Sequence, residues 1–159
     1  MIGCIIQART GSTRLPGKAM LSVEKNKTIL HFVIKQLQNC KQIDKIIIAT
    51  TTLEDDKQIV NLSKDLGIDC FRGSSDNVLD RYYQCAKEYS VSTIVRIPSD
   101  KPLIDPEIVD NVINFFRNNS YDYVTNFLSN PTFPSGTEVE VFSINALKEA
   151  WKKAKLPSE

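Results

Sequence analysis

A short basic stretch near the start of the chain has the composition of an anion-binding loop. It reads QARTGSTRLPGK over residues 7–18 and combines two glycines with three cationic side chains, Arg9, Arg14 and Lys18. Glycines let the backbone come close to an anion, and the cations can neutralise about three negative charges, as a nucleoside triphosphate requires. The stretch therefore predicts a phosphate-binding loop, with an ordinary basic surface loop as the alternative.

The spacing inside this loop differs from the two common nucleotide-binding signatures. Five residues separate Gly11 from Gly17, one more than in a Walker A loop, and Ala19 follows Lys18 where that loop carries a magnesium-binding hydroxyl. No G-x-G-x-x-G dinucleotide fingerprint occurs in the chain. The sequence therefore disfavours an ordinary P-loop ATPase or GTPase and a dinucleotide-dependent enzyme.

A second candidate for chemistry is Asp100, in the stretch IPSDKPLIDPE over residues 97–107. It closely follows an apolar run, and a carboxylate at the end of a strand is a suitable ligand for magnesium. Pro98 and Pro102 restrict the turn on either side and so limit the directions that the carboxylate can take. A turn-forming role for Asp100 is the equally weighted alternative.

The segments that must position these residues alternate between patterns typical of strands and patterns typical of helices. Short β-branched runs predict strands, and stripes at i, i+3 and i+4 between them predict helices. The predicted strands cover 2–6, 45–49, 68–71, 93–97, 121–125 and 138–142, and the predicted helices cover 29–37, 59–66, 78–86, 108–116 and a last segment around 147–151. Thr28, Asp105 with Pro106, and Gly67 occupy positions for helix caps and stops. This alternation predicts an α/β fold with a parallel sheet covered by helices on both faces.

Topology brings the two candidate features together. In a doubly wound sheet of order 3-2-1-4 the first and fourth strands are neighbours, and ligands bind there, beyond the carboxyl ends of the strands. The loop over 8–19 leaves the first predicted strand, and Asp100 leaves the fourth. A triphosphate held by the loop could therefore share a magnesium ion with Asp100.

The bulk composition disfavours several classes of function. At 159 residues the chain has the length of one domain, and its 20 basic and 19 acidic residues give no large net charge to attract nucleic acid or an anionic membrane. The four scattered cysteines and one histidine supply no zinc-ligand spacing, and no apolar run approaches the ~20 residues of a membrane helix. We therefore expect a cytoplasmic protein with reduced cysteines and no nucleic-acid or membrane partner.

Three other features receive structural interpretations. His31 is expected to be a partly buried residue of the first helix, and a single histidine gives no basis for a Ser-His-Asp triad. Asp55 and Asp56 are interpreted as a solvated helix start that the helix dipole favours. Four aromatic side chains are expected to serve in packing rather than in base stacking: Tyr82, Tyr83, Phe115 and Phe116.

The motifs QARTGSTRLPGK and IPSDKPLIDPE, with RGSSDNVLDRYYQCAKEY and FPSGTEVEVFS, resemble those of cytidylyltransferases. The resemblance is to the group that includes CMP-Kdo synthetase and acylneuraminate cytidylyltransferase, and most of all to the branch of spore coat polysaccharide biosynthesis. It implies an α/β fold of the Rossmann-like three-layer sandwich type, with a mostly parallel sheet as in nucleotide-diphospho-sugar transferases. It also implies transfer of CMP from CTP to an acidic or related sugar, release of pyrophosphate, and Mg²⁺ as cofactor.

The resemblance also implies roles for individual residues. Arg9, Lys18 and Asp100 would be catalytic, with Asp100 holding magnesium. The nucleotide would contact Gly11, Ser12, Thr13 and Arg14 in the loop, and Ser74, Asn77 and Arg81 beside the nucleoside. The stretch FPSGTEVE would face the sugar, with Glu138 and Glu140 as candidates.

The same resemblance implies that residues 1–159 form a single nucleotidyltransferase domain that lacks its C-terminal portion. Related enzymes carry a second magnesium-binding aspartate and part of a dimer interface further along, so a homodimer is expected of a full-length chain. Three alternatives stay open: a sugar-1-phosphate nucleotidylyltransferase using another nucleotide, a nucleotide-sugar-dependent glycosyltransferase, and a nucleotide-binding module without catalysis. A glycosyltransferase of this kind would require a D-x-D motif, and the residues after Asp100 do not form one.

Overall fold

The computed structural model describes residues 1–11, 15–127 and 132–154 as an α/β structure with one central sheet. The strands are β1 (Ile2–Gln7), β2 (Ser22–Glu24), β3 (Lys27–Thr28), β4 (Lys45–Thr51), β5 (Asp69–Gly73), β6 (Thr93–Pro98), β7 (Tyr123–Thr125) and β8 (Glu140–Ser143). The helices are α1 (Ile29–Leu37), α2 (Lys57–Asp65), α3 (Val78–Glu88), α4 (Pro106–Arg117) and α5 (Ile144–Lys153), and short 3₁₀ turns cover Lys18–Met20 and Glu54–Asp56. Six strands form the central sheet in the order β5-β4-β1-β6-β8-β7, and β2 pairs with β3 in a separate hairpin.

Helices cover both faces of the sheet, which explains the continuous apolar runs of the inner strands. In β1, Cys4 and Ile6 face one hydrophobic cluster and Ile5 faces the other, as the alternation along a strand requires. Helices α1, α2 and α4 contribute to the first cluster, and α3 and α5 contribute to the second. The three-layer arrangement predicted from the sequence is confirmed.

The predicted strand order and the mostly parallel sheet that the resemblance implies are both confirmed, although the alternation of strands and helices did not predict the two antiparallel pairs. The strands β5, β4, β1 and β6 correspond to the predicted third, second, first and fourth strands, and neighbours among them are parallel. Strand β8 instead runs antiparallel to β6, and β7 runs antiparallel to β8. The chain passes from β6 through α4 to β7, and β8 then returns between these two strands, antiparallel to both. The sheet is therefore mostly parallel.

The predicted helix caps are confirmed. The Thr28 hydroxyl accepts a hydrogen bond from the His31 backbone N–H at 3.2 Å, and His31 is partly buried in α1 as expected. The Asp105 carboxylate accepts from the Glu107 N–H at 2.8 Å, and a proline begins α4 directly after it. Gly67 follows α2 with φ +65°, a left-handed conformation that favours glycine.

The cysteines agree with the expectation of reduced thiols. All four cysteines are free thiols, with Cys4 and Cys85 buried and Cys40 and Cys70 partly exposed. Burial raises the pKa of each thiol, so the thiols are protonated and poor nucleophiles near neutral pH. Across the described ranges, no helix combines the length and apolar composition that crossing a membrane requires.

Candidate active site

Lys18 and Asp100 meet beyond the carboxyl ends of β1 and β6, the two parallel strands at the centre of the sheet. Lys18 lies in the 3₁₀ turn that ends the loop after β1, and Asp100 comes two residues after β6. The Lys18 Nζ lies 2.5 Å from the Asp100 Oδ2, and the two side chains are 42% and 32% exposed. The structure thus brings together the loop and the carboxylate that topology predicted to converge, and solvent reaches both groups.

A backbone hydrogen bond joins the two ends of the loop between β1 and this turn. The Gly17 N–H donates to the Thr10 carbonyl at 2.8 Å, and Gly17 adopts φ +68°, in the left-handed region. Among the described residues other than its chain neighbours, a Cβ atom on Gly11 would meet no atom within 4 Å. The predicted contacts of Ser12, Thr13 and Arg14 lie outside the described residues.

The prediction of a solvated helix start is wrong for Asp56. This carboxylate is 1% exposed and accepts hydrogen bonds from the Thr10 N–H and hydroxyl, both at 2.7 Å. It also accepts from the Thr51 N–H at 3.3 Å and from the Thr51 hydroxyl. The sequence does hold one signal for this arrangement, since the threonine-rich end of β4 precedes an acidic turn, but the partner in the loop is 46 residues away.

These hydrogen bonds predict an acid-sensitive contribution to stability. Burial alone would raise the pKa of Asp56, but the hydrogen bonds from Thr51 and Thr10 outweigh burial and lower the pKa below its ordinary value of 3.8. The ionised carboxylate therefore stabilises the fold fully above about pH 4, and this contribution is lost as the pH falls through the lowered pKa. We predict that, as the pH falls below about 4, the free energy of unfolding decreases more steeply in the wild type than in Asp56→Asn. Urea denaturation across that range checks this, and parallel curves for the two proteins would contradict it.

The segment between β5 and α3 carries two of the residues predicted to lie by the nucleoside. The Ser74 hydroxyl accepts from the N–H groups of Asp76 at 3.3 Å and Asn77 at 3.0 Å, and the Asn77 side chain caps α3. The Arg9 Nη1 donates to the Ser75 carbonyl at 3.5 Å, so this segment lies beside the first cation of the phosphate-binding loop. Both predicted residues therefore shape the segment, and their contacts with a nucleoside stay a prediction.

Arg81, the third residue predicted to lie there, is completely buried. Its Nη1 donates to the Ser74 carbonyl, while its Nε and Nη2 have no hydrogen-bond partner within the described residues. Burial lowers the pKa of the guanidinium, and the nearby Arg9 lowers it further. Arg81 thus stabilises the segment between β5 and α3 from the protein interior. Direct contact of Arg81 with a nucleotide would require that segment to move.

The two glutamates predicted to face the sugar are both paired with cations. The Lys101 Nζ lies 3.0 Å from the Glu138 Oε2, which also accepts from the Gly136 N–H at 2.9 Å, and Arg96 pairs with Glu140 across β6 and β8. The ion pair between Lys101 and Glu138 brings the segment before β8 next to Lys101, the residue that follows Asp100. A cavity of about 140 Å³ lies beside that segment; its lining includes Phe127, Phe133, Pro134 and Glu138.

The donor atoms at this place fit a magnesium ion that a nucleotide helps to hold. Within the described residues, no group of three or more His, Cys, Asp and Glu side chains could hold a metal. Asp100 supplies one partly exposed carboxylate, and Mg²⁺ is commonly bound by one or two carboxylates together with substrate phosphates and water. The fit is therefore to a shared site rather than to a metal cage made by the protein alone.

Comparison with known proteins assigns the family. A family model described as Cytidylyltransferase matches residues 3–158. The chain belongs to the cytidylyltransferase family. A solved cytidylyltransferase structure from Leptospira borgpetersenii superimposes on this family member with a TM-score of 0.93 and 36% identity, covering 99% of this chain and 66% of that one. The predicted family and the fold are both confirmed.

Three curated relatives of this cytidylyltransferase family member give the extent of the similarity. This chain is 43% identical over 151 residues to Uncharacterized protein MJ1063 of Methanocaldococcus jannaschii, and the alignment covers 95% of this chain and 60% of that protein. It is 35% identical over 148 residues to Spore coat polysaccharide biosynthesis protein SpsF of Bacillus subtilis, covering 90% and 59%. It is 33% identical over 120 residues to a 3-deoxy-manno-octulosonate cytidylyltransferase of Trichlorobacter lovleyi, covering 74% and 46%. The chain thus spans about 60% of the length of the first two relatives.

Proposed function

We propose that this chain transfers CMP from CTP to a sugar and releases pyrophosphate. Family membership supports the proposal, and one geometric observation carries it: Lys18 and Asp100 form a pair at 2.5 Å beyond the carboxyl ends of neighbouring parallel strands. Nucleotidyl transfer needs positive charge for the phosphates and a carboxylate for a metal ion at one place. This pair supplies both.

In the proposed reaction, an oxygen of the sugar attacks the α-phosphorus of CTP in line. The new O–P bond forms as the bond from the α-phosphorus to the bridging oxygen of the β-phosphate breaks. The leaving pyrophosphate takes that electron pair, and the attacking hydroxyl loses its proton to water. Lys18 and Arg9 neutralise the negative charge that accumulates on the phosphates. Mg²⁺, held by Asp100 and the phosphates, would supply further charge neutralisation at the transferred group.

The ion pair also suggests how the site is kept ready for the nucleotide. Asp100 holds the Lys18 ammonium close to the loop. A pair that is this exposed contributes only about 0–1 kcal/mol, so Lys18 can exchange its carboxylate partner for a phosphate oxygen at little cost. That exchange would leave the Asp100 carboxylate available for the metal ion.

The remaining predicted contacts belong to the same proposal. The loop would contact the triphosphate through Gly11, Ser12, Thr13 and Arg14, and the segment before α3 would contact the nucleoside through Ser74 and Asn77. Arg81, which is buried in α3, would reach the nucleoside only if that segment moves. For the acceptor we propose an acidic or related sugar of a surface polysaccharide, by analogy with the names of the Bacillus and Trichlorobacter relatives. Cytoplasmic location, in keeping with the free thiols, and a homodimer for the whole protein complete the proposal.

A second candidate function is nucleotide binding without turnover. It is supported by the ligand set of the described residues, in which no group of three or more His, Cys, Asp and Glu side chains could hold a metal ion. Such a module would hold CTP through the same loop. It would release no pyrophosphate with any acceptor.

Calorimetry beside a turnover assay on the same protein tests the proposal and separates it from this alternative. We expect CTP to bind with a Kd in the micromolar range and Mg²⁺ to strengthen the binding, while ATP binds more weakly. Pyrophosphate release on addition of a sugar acceptor then distinguishes catalysis from binding alone. No heat of binding at about 1 mM CTP with Mg²⁺ would contradict both functions.

A further inference from the structure

The two oxygens of the buried Asp56 carboxylate serve different parts of the chain. Within the described residues, Oδ1 accepts from Thr10 at the start of the phosphate-binding loop, and Oδ2 accepts from Thr51 at the end of β4. A buried carboxylate is costly unless donors satisfy its lone pairs, and here four donors do so. The sheet pairs β4 with β1 and β5 through the backbone without this side chain. Asp56 therefore ties the loop to the sheet.

Thr10 is held at three points by these and neighbouring contacts. Its N–H and hydroxyl bond to Asp56, and its carbonyl accepts from the Gly17 N–H at 2.8 Å. Thr10 lies directly between Arg9 and Gly11, so fixing it limits the directions open to the Arg9 side chain and to the Gly11 backbone. The buried carboxylate thus acts one residue away from a cation that we place on the phosphates.

We infer that Asp56 is a positioning residue for nucleotide binding, acting through Thr10 to hold Arg9 and the loop backbone ready for the triphosphate. It touches no part of the nucleotide itself. The inference rests on the proposed function and deepens it. Its physical basis is preorganisation, because a loop that is ordered before binding avoids the entropic cost of ordering it afterwards.

Substitutions at the two threonines separate positioning from simple stabilisation. Thr10→Val removes the hydroxyl on the loop side with little change of shape, Thr10→Ser retains it, and Thr51→Val removes the hydroxyl on the sheet side. Calorimetry gives the Kd for CTP in the presence of Mg²⁺, and urea denaturation gives the midpoint of unfolding. We expect Thr10→Val to raise the Kd about 5- to 10-fold while its midpoint falls no further than that of Thr51→Val, and Thr10→Ser to stay within about twofold of the wild-type Kd. Thr51→Val should lower the midpoint and leave the Kd within about twofold.

Two results from these variants would overturn the inference. One is an unchanged Kd in Thr10→Val. The other is a Kd that rises in step with the loss of stability in both valine variants, because the carboxylate would then serve only the fold.

A second measurement decides the inference even if the wild type binds no CTP, an outcome that would refute the proposed function instead. In Asp56→Ala, both carboxylate oxygens are removed, so neither Thr10 nor Thr51 keeps its acceptor. We expect amide hydrogen exchange at Thr10 and Gly17 to become about tenfold faster, with exchange in β6 unchanged. Unchanged exchange at both loop amides would show that Asp56 does not hold the loop.

Discussion

Replacing Lys18 with alanine is expected to slow CTP-dependent pyrophosphate release by about 100-fold or more. Lys18 is the cation that meets Asp100 at the carboxyl ends of β1 and β6, with its Nζ 2.5 Å from the carboxylate. The positive charge is needed most when negative charge develops on the leaving pyrophosphate, so kcat should fall by more than KM rises. The fold should be little affected, because an exposed ion pair of this kind contributes about 0–1 kcal/mol to stability.

Lys27→Ala is the matched control for this substitution. Lys27 lies in the β2–β3 hairpin, where its Nζ is 3.5 Å from the Glu24 carboxylate and both side chains are exposed. Steady-state pyrophosphate release and urea denaturation on both variants separate loss of the charge at the site from loss of a surface lysine. A folded Lys18→Ala protein that releases pyrophosphate at the wild-type rate would contradict the proposed role.

The second large effect is expected for Asp100→Asn, which should abolish the strengthening of CTP binding by Mg²⁺ and slow turnover by about 100- to 1,000-fold. The amide has nearly the same shape as the carboxylate but carries no charge for the metal ion. Because the substitution also releases Lys18 from its ion pair, CTP binding without metal should be equal to the wild type or tighter. This opposite response of the two binding constants distinguishes a metal ligand from a residue that merely shapes the turn.

Asp65→Asn serves as the control for the loss of one negative charge. Asp65 is exposed at the end of α2, a helix that contacts β4 and β5. Calorimetry of CTP with and without Mg²⁺ on both variants gives the four binding constants that the comparison needs. Mg²⁺ that strengthens CTP binding to Asp100→Asn as much as to the wild type would rule out Asp100 as the ligand.

The order of the inner strands could be predicted because their apolar runs mark them as buried strands and the segments between them are helical. Each inner strand is buried on two faces and so reads as a continuous apolar run, and the helices between them fix parallel crossovers. The direction of β8 was not predictable in the same way, because the apolar residues of a strand do not indicate whether the adjacent strand in the sheet runs parallel or antiparallel to it. The β2–β3 hairpin was missed since its strands are three and two residues long and largely exposed, which leaves no hydrophobic period to detect.

The candidate site was predictable as far as topology alone determines it. Lys18 and Asp100 leave neighbouring strands in the same direction, so their meeting follows from strand order. The roles of Asp56 and Arg81 depend instead on burial and on donors far away in the chain, which no local pattern in the sequence reports. Both acquire their surroundings only when the loop, β4 and α3 are packed together. The sequence predicts a solvated Asp56 and an Arg81 in contact with the nucleotide, whereas both side chains are buried.

Pyrophosphate release across four nucleotides tests the central claim most directly. The protein is mixed with Mg²⁺, a panel of acidic and phosphorylated sugars, and CTP, UTP, GTP or ATP in turn. The proposed function predicts release that requires both a sugar and CTP, and that exceeds release with any of the other three nucleotides. Release with ATP, UTP or GTP but not with CTP would contradict the assignment of this chain as a CTP-dependent enzyme.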